Sequence, residues 1–414
     1  MSQEPLKANG ERLWRRLMDM AQIGATAAGG CNRQALTDED RQGRQLFESW
    51  CSAAGCSIER DQMGNIFARR AGTSPGLPPV LMGSHLDTQP TGGKFDGVFG
   101  VLAGLEVIES LNDHGIRTPH PVEVVVWTNE EGARFSPAMI GSGVFAGAFD
   151  LDYGLSRVSK DGVTLGDALR RIGYAGSRAC RHYPIKAAFE AHIEQGPILE
   201  DNDTQIGIVT GVQGMRWYDL ELNGESVHAG PTPMGSRHDP VRALHAILAG
   251  VYELAGIYGP WARVTFGDAR FEPGARNTVP ERVVVTLDLR HPDETTLDAM
   301  ESHLLEIVAT ATQEASVTGT VHHEWRSAAI RFDEQCIETI AKSAASLDLS
   351  TMRLVSGAGH DSVYVSRIAP TAMIFVPCKG GISHNESESA EKSDLAAGCD
   401  VLLNAVVSMA GPAI

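Results

Sequence analysis

Gly83-Ser-His-Leu-Asp-Thr-Gln-Pro-Thr-Gly-Gly-Lys-Phe-Asp96 is the stretch on which the reading of this chain turns. Residues 77–82 ahead of it form a short apolar run bounded by Pro and Gly, the pattern of a strand buried on both faces. His85 and Asp87 then fall at the carboxyl end of that strand. In an open α/β sheet the crevice beyond the carboxyl ends is where ligands bind, so an imidazole and a carboxylate delivered there are candidate site residues. Asp96 follows a Gly-rich turn and stands just before an amphipathic run, 98–111, which predicts a helix with Asp96 held at its entrance.

Other segments point at the same crevice. Residues 122–127 read as a strand ending in Thr128-Asn-Glu-Glu131, and 187–194 as a strand with His192 and Glu194 on one face at period two. Helical spacing marks 9–20 and 37–53, and β-like runs fall at 57–60, 65–70 and 206–212. From residue 217 the order becomes strand 217–223, helix 239–255, strands 262–270 and 282–289, helix 293–315 and strand 318–326. This β-α-β-β-α-β series is the split βαβ arrangement of a small ferredoxin-like unit. Helix 332–347, strand 371–376, a polar loop 379–388 and a closing helix 393–409 resume the earlier pattern, so 214–327 reads as an insertion.

With 414 residues the chain is too long for one ordinary core, and two domains are expected. The composition, 43% hydrophobic and 21% charged, is that of a soluble globular protein. No stretch is expected to supply the roughly 20 apolar residues of a membrane span, and the N-terminus lacks the features of a signal peptide, which leaves the cytoplasm as the expected compartment. The seven cysteines are scattered without a Cys-x-x-Cys pair, which predicts reduced thiols and no thiolate zinc site. A formal net charge of −17 argues against nucleic acid or an anionic membrane as partner.

Taken singly, each polar residue has an ordinary explanation: a histidine near a strand end is commonly a satisfied structural residue, and Glu130-Glu131 could be a solvated strand exit. Recurrence changes that. His85, Asp96, Glu131, His192 and His384 all fall at predicted strand ends or adjoining loops of one domain. Imidazole and carboxylate together suit zinc, manganese or a similar divalent ion. Five such ligands allow one carboxylate to bridge two ions roughly 3.5 to 4 Å apart, the two-metal hydrolytic geometry.

Those segments, with Lys94-Phe-Asp-Gly97, Thr128-Asn-Glu-Glu-Gly-Ala-Arg-Phe135, Ala191-His-Ile-Glu-Gln-Gly-Pro197, His228-Ala-Gly-Pro-Thr-Pro-Met234, Arg276-Asn-Thr-Val-Pro280 and Ile382-Ser-His-Asn-Glu386, resemble the M20 metallopeptidase superfamily. More narrowly they are similar to its amidohydrolase branch of N-carbamoyl-L-amino acid hydrolases, allantoate amidohydrolases and bacterial-type β-ureidopropionases. The resemblance runs over nearly the whole chain. It implies an α/β catalytic domain of the zinc-exopeptidase type (1–213 and 328–414), with a central mixed sheet flanked by helices, and an inserted ferredoxin-like lid and dimerisation domain (214–327).

It also implies roles. His85, Asp96 and His192 would hold one metal, Asp96 bridging, while Glu131 and His384 hold the other; zinc is the expected ion, with manganese, cobalt or nickel as alternatives. Asp87 would support His85 by accepting from its other ring nitrogen. Glu130 would be the general base, and His228, from the partner subunit of a homodimer, would stabilise the oxyanion. Asn277 and Arg290 would hold the substrate, Arg290 through an α-carboxylate, with Gln195, Arg216 and Gly359 as further contacts. The ordinary reading of Arg290 is an ion pair with Asp288 or Asp293. His360 and Asp361 are left as either helix-start or pocket residues.

The implied activity is hydrolysis of the ureido C–N bond of N-carbamoyl-L-amino acids. Allantoate-specific members carry a second arginine where this chain has Trp217, between Arg216 and Tyr218, which favours a carbamoyl amino acid with an apolar or small side chain. Alternatives are allantoate or β-ureidopropionate as substrate, an M20-type dipeptidase or aminoacylase, and an inactive metal-binding scaffold; His192 argues against the peptidases and Glu130 against the scaffold.

Overall fold

The computed structural model describes residues 4–411, which divide into two compact units: 4–210 with 332–411, and 211–331. In the first, a mixed sheet runs in spatial order Ser57–Arg60, Ile66–Arg70, Val122–Trp127, Val80–His85, Ala187–Ile193, Thr371–Val376 and Ile206–Val212, with Thr351–Ser356 pairing the last. Its four central strands, 122–127 through 371–376, are parallel to one another. All four are buried from end to end, which is why they read as continuous apolar runs.

The strand predicted at 77–82 lies at 80–85, so His85 is its last residue. The following helix, Val98–Asp113, is buried from Val98 to Ile108 rather than amphipathic, because it packs against the sheet on one side and helices Gly10–Ala21 and Lys392–Ala410 on the other. Asp96 is not its cap: Gly97 takes that position without a side-chain hydrogen bond, which leaves the Asp96 carboxylate available for other partners. Helix Lys392–Ala410 is, against the sequence expectation, long and apolar enough by composition to cross a membrane. Here Leu395, Cys399, Leu402 and Val406 are buried in the core it closes. Strand Thr351–Ser356 and the short helices between 140 and 201 carry too few residues for a legible period. All seven cysteines are free thiols.

The second unit is a four-stranded antiparallel sheet in order Thr318–Ser327, Gly214–Asn223, Arg282–His291, Arg263–Glu272. Helices Pro240–Ile257 and Glu294–Ala315 complete the order β-α-β-β-α-β and share a core with alternate strand residues, among them Leu220, Leu222, Val283, Val285 and Leu287. Asp239 and Asp293 cap the two helices through the amides of Val241 and Thr296.

Candidate metal centre

The carboxyl ends of the parallel strands bring the acids and imidazoles together. His85 and His192 end or nearly end adjacent strands, and Asn129, in the left-handed conformation at φ 58°, turns the chain after Trp127 so that Glu130 and Glu131 enter the same crevice. Asn129 holds that turn by donating from Nδ2 to the Phe135 carbonyl at 2.7 Å. Gly97 is required here: its φ is 67°, and a Cβ would lie 2.3 Å from the His85 ring.

Asp96 is the centre of the arrangement. Its Oδ1 lies 3.2 Å from His192 Nε2 and 3.6 Å from His85 Nε2, while its Oδ2 lies 3.6 Å from His384 Nε2. Glu131 Oε2 is 3.3 Å from the same His384 nitrogen. Two potential ligand groups result, His85–Asp96–His192 and Asp96–Glu131–His384, sharing one carboxylate. Glu130 belongs to neither, its Oε2 lying 3.4 Å from His85 Nε2.

Hydrogen bonds set the imidazoles. Nδ1 of His85 lies 2.9 Å from the Asp87 carbonyl and Nδ1 of His192 lies 2.9 Å from the Ile193 carbonyl, so in both rings Nδ1–H donates and Nε2 presents a lone pair. The Gly97 N–H donates to His192 Nε2 at 3.1 Å, consistent with that tautomer.

This corrects the expectation for Asp87, whose carbonyl, not its carboxylate, meets His85. The Asp87 carboxylate instead accepts from the amides of Glu130 and Glu131, each at 3.3 Å, and so anchors the turn that carries both glutamates.

Among the described residues of the first unit, no lysine or arginine forms an ion pair with Asp87, Asp96, Glu130, Glu131, Glu190, Asp361 or Glu388. Burial pushes Glu130 well above the usual carboxylate range, and Asp361 and Glu131 add to it. Burial, then Asp96, lifts Glu131 to about 8. Burial would raise Asp96 too, but His192 and His85 hold it well below its ordinary value. A buried concentration of carboxylates whose basic neighbours are imidazoles rather than lysine or arginine favours a cation.

Several neighbours were not legible beforehand. Gln89 donates to Glu131 from its backbone N–H and its side chain, and Ser383 Oγ donates to Asp96 Oδ2 at 2.6 Å. Glu388 accepts from the amides of Phe95 and Asp96. Only the last two had any signal, lying beside His384 in one polar loop. Glu190, His192 and His360 form a third close group, yet the Glu190 carboxylate is already taken by Ser84 and by the amide and hydroxyl of Ser362. His360 packs edge-on to His192 and meets Ser356 Oγ at 2.9 Å, and Asp361 accepts from Ser142.

Of the expected substrate contacts, Gln195 Nε2 donates to Asp96 Oδ2 at 2.8 Å, and its Oε1 is buried without a partner. Gly359 precedes His360 and lies against Met139. In the second unit His228 is exposed, its Nδ1 accepting from Gly230 N–H at 3.1 Å, which leaves Nε2–H as an outward donor. Asn277 stands beside it, its carbonyl accepting from Ala229 N–H at 2.9 Å. Arg290 donates to Asp288 at 2.8 Å.

Arg216 is a correction. Alternation along its strand turns Trp217 outward and Arg216 inward, where the buried guanidinium is taken by Glu294, Asp298 and Glu301 of one helix. Three carboxylates take its two terminal nitrogens and its Nε is buried, so the guanidinium exposes no donor to a substrate.

Residues 81–408 match the peptidase family M20/M25/M40. Over 407 residues the chain is 47% identical to an N-carbamoyl-L-amino-acid amidohydrolase of Rhizobium meliloti, covering 98% of each chain. It is 34% identical over 385 residues to an allantoate amidohydrolase of Escherichia coli, covering 92% of this chain and 94% of that one. A solved hydantoinase/carbamoylase family amidase from Burkholderia multivorans superposes with a TM-score of 0.95 at 49% identity, covering 98% of both chains.

Proposed function

The chain belongs to peptidase family M20/M25/M40, and from that membership we propose that it hydrolyses N-carbamoyl-L-amino acids, giving the L-amino acid, ammonia and carbon dioxide with consumption of one water. The observation that carries the reading is the division of Asp96 between two histidine-containing groups, with Glu130 beside them and outside both. The substrate class is supported by near full-length likeness to a protein named for that reaction.

The family is metal-dependent, and the donor set fits. Imidazole Nε2 atoms and carboxylate oxygens, without thiolate, suit zinc or a similar divalent ion. In this reading His85 and His192 would hold one ion and Glu131 and His384 a second, with Asp96 as the carboxylate common to both ligand groups. Such ions, when bound, supply Lewis acidity toward the ureido carbonyl and acidify the attacking water.

The chain's own groups do the rest. Glu130 takes the proton of the attacking water and returns it to the leaving nitrogen, a role that suits a buried carboxylate whose proton affinity is raised. The Asp87 carboxylate fixes the turn on which Glu130 sits. The outward Nε2–H of His228 is suited to donate to the developing oxyanion, and Arg290, steadied by Asp288, to take the substrate's carboxylate. Gln195 and Asn277 are assigned to the ureido group. We assign His228, Asn277 and Arg290 to the active site of the neighbouring subunit in a homodimer.

Turnover of a panel of N-carbamoyl-L-amino acids, allantoate and β-ureidopropionate by metal-loaded enzyme tests the proposal. Highest kcat/KM on a carbamoyl amino acid is expected. Preference for allantoate would replace the substrate, and cleavage of dipeptides alone would overturn the assignment.

A further inference from the structure

We propose that Glu388 is a positioning residue: it holds Asp96 with its two oxygens turned toward different histidines, and so sets how tightly both ligand groups take a cation. The inference rests on the reading of these groups as a metal centre.

Glu388 is only 4% exposed. One of its oxygens accepts from the N–H groups of Phe95, at 2.8 Å, and Asp96, at 3.3 Å. The other lies 3.4 Å from Ser383 Oγ, the hydroxyl that donates to Asp96 Oδ2. One carboxylate therefore grips the backbone of Asp96 and touches the group that grips its side chain. Rotation of the Asp96 carboxylate would exchange or misplace the oxygens that face His192 and His384, and these contacts oppose it.

Glu388 also joins two loops. Its own amide donates to the Asn385 carbonyl at 3.0 Å, closing the turn that follows His384, while its side chain reaches the loop that carries Asp96. The ligands Asp96 and His384, nearly 290 positions apart, are in this way registered against each other. Gly93 makes room for the contact: a Cβ there would lie 2.0 Å from Glu388 Cδ.

The test is titration of metal-free, full-length protein with cobalt(II), following visible absorption and stoichiometry by equilibrium dialysis, for wild type, E388A, E388Q and G93A. The melting temperature of each metal-free variant serves as the control for folding. E388A and G93A should bind at least one cobalt about 10- to 100-fold more weakly, the usual effect of losing a residue that orients a ligand. E388Q, whose amide oxygen still accepts from Phe95 and Asp96, should lose less than about threefold.

Wild-type affinity in either E388A or G93A, whichever folds, overturns the inference while leaving the metal centre in place. Equal loss in E388Q and E388A would assign the effect to charge and also overturn it. A wild-type protein that takes up no cobalt removes the metal centre itself and this inference with it.

Discussion

Gln89 grips both oxygens of Glu131, its backbone N–H donating to Oε1 at 3.1 Å and its side-chain amide to Oε2 at 2.7 Å. The carboxylate is thereby fixed with Oε2 toward His384. Gln89→Ala removes the side-chain bond and frees Glu131 to rotate. Binding of the more weakly held cobalt, read by equilibrium dialysis, should fall roughly 10-fold, as is usual when an orienting partner is lost. An unchanged dissociation constant would separate Gln89 from the metal centre.

Glu130 stands outside both ligand groups, so its removal should silence chemistry without emptying the site. Glu130→Gln is expected to lower kcat by about 10²- to 10⁴-fold, the range for loss of a general base, with KM within a few-fold of wild type. Metal content, measured on dialysed protein by elemental analysis, should not change. Loss of metal together with activity would make Glu130 a ligand and move the base elsewhere.

The strand ends were legible because His85, His192 and Glu130-Glu131 follow short, continuous apolar runs, and that pattern places them at one edge of a parallel sheet whatever the loops do. His384 and Asp96 were legible through their motifs rather than through any period. The role of Asp87 is not legible, because the choice between its carbonyl and its carboxylate depends on the backbone turn after His85, which the residue pattern does not encode. The role of Arg216 is hidden for a related reason: alternation tells which neighbours share a face, yet only the pairing of the strand with helix Glu294–Ala315 says that the inward face is lined with acids. Glu388 and Gln89 act through contacts between distant loops, and no local spacing announces those.

Protonation and metal binding compete at this site. In the metal-free protein burial, then Asp96, lifts Glu131 to about 8 and Glu388 to about 7, both above an ordinary value of 4.5. Across that window the folded chain holds protons that the unfolded chain has released. These groups therefore favour folding at the acid end and lose that contribution as pH rises through their folded values. As a ligand Glu131 must be deprotonated, so cation binding strengthens as pH rises toward its folded value. The difference in melting temperature between zinc-loaded and metal-free protein should widen from about pH 5.5 to about pH 8, and a gap that narrows would contradict the assignment of Glu131 as a ligand.

Behind the sheet edge, Arg44 and Asp40 form a fully buried ion pair, and Arg44 also donates to the Gly64 carbonyl at 2.7 Å and to Thr128 Oγ1 at 3.3 Å. Thr128 begins the turn that leads to Glu130. Arg44→Leu strands the Asp40 charge and should destabilise the protein by about 3 to 5 kcal/mol, whereas replacing both partners with apolar residues should recover much of the loss. Urea denaturation of the metal-free single and double variants measures this, and a double variant no more stable than Arg44→Leu would show that the hydrogen bonds to Gly64 and Thr128 matter more than the stranded charge.

Arg216 separates a structural role from a substrate role most cleanly. Its side chain is 2% exposed and its partners Glu294, Asp298 and Glu301 are 34%, 63% and 21% exposed, so the acids retain part of their hydration when the arginine is lost. That discounts the cost of a stranded charge, and Arg216→Met, which keeps the apolar stem, should destabilise the second unit by about 1 to 3 kcal/mol. Because the buried guanidinium exposes no donor to a ligand, KM for the best carbamoyl amino acid should stay within about twofold of wild type, well short of the 1.5 to 3 kcal/mol typical of a lost charged hydrogen bond. A KM raised 10-fold or more, with thermal stability unchanged, would return Arg216 to the substrate site and require its carboxylate partners to let go when substrate binds.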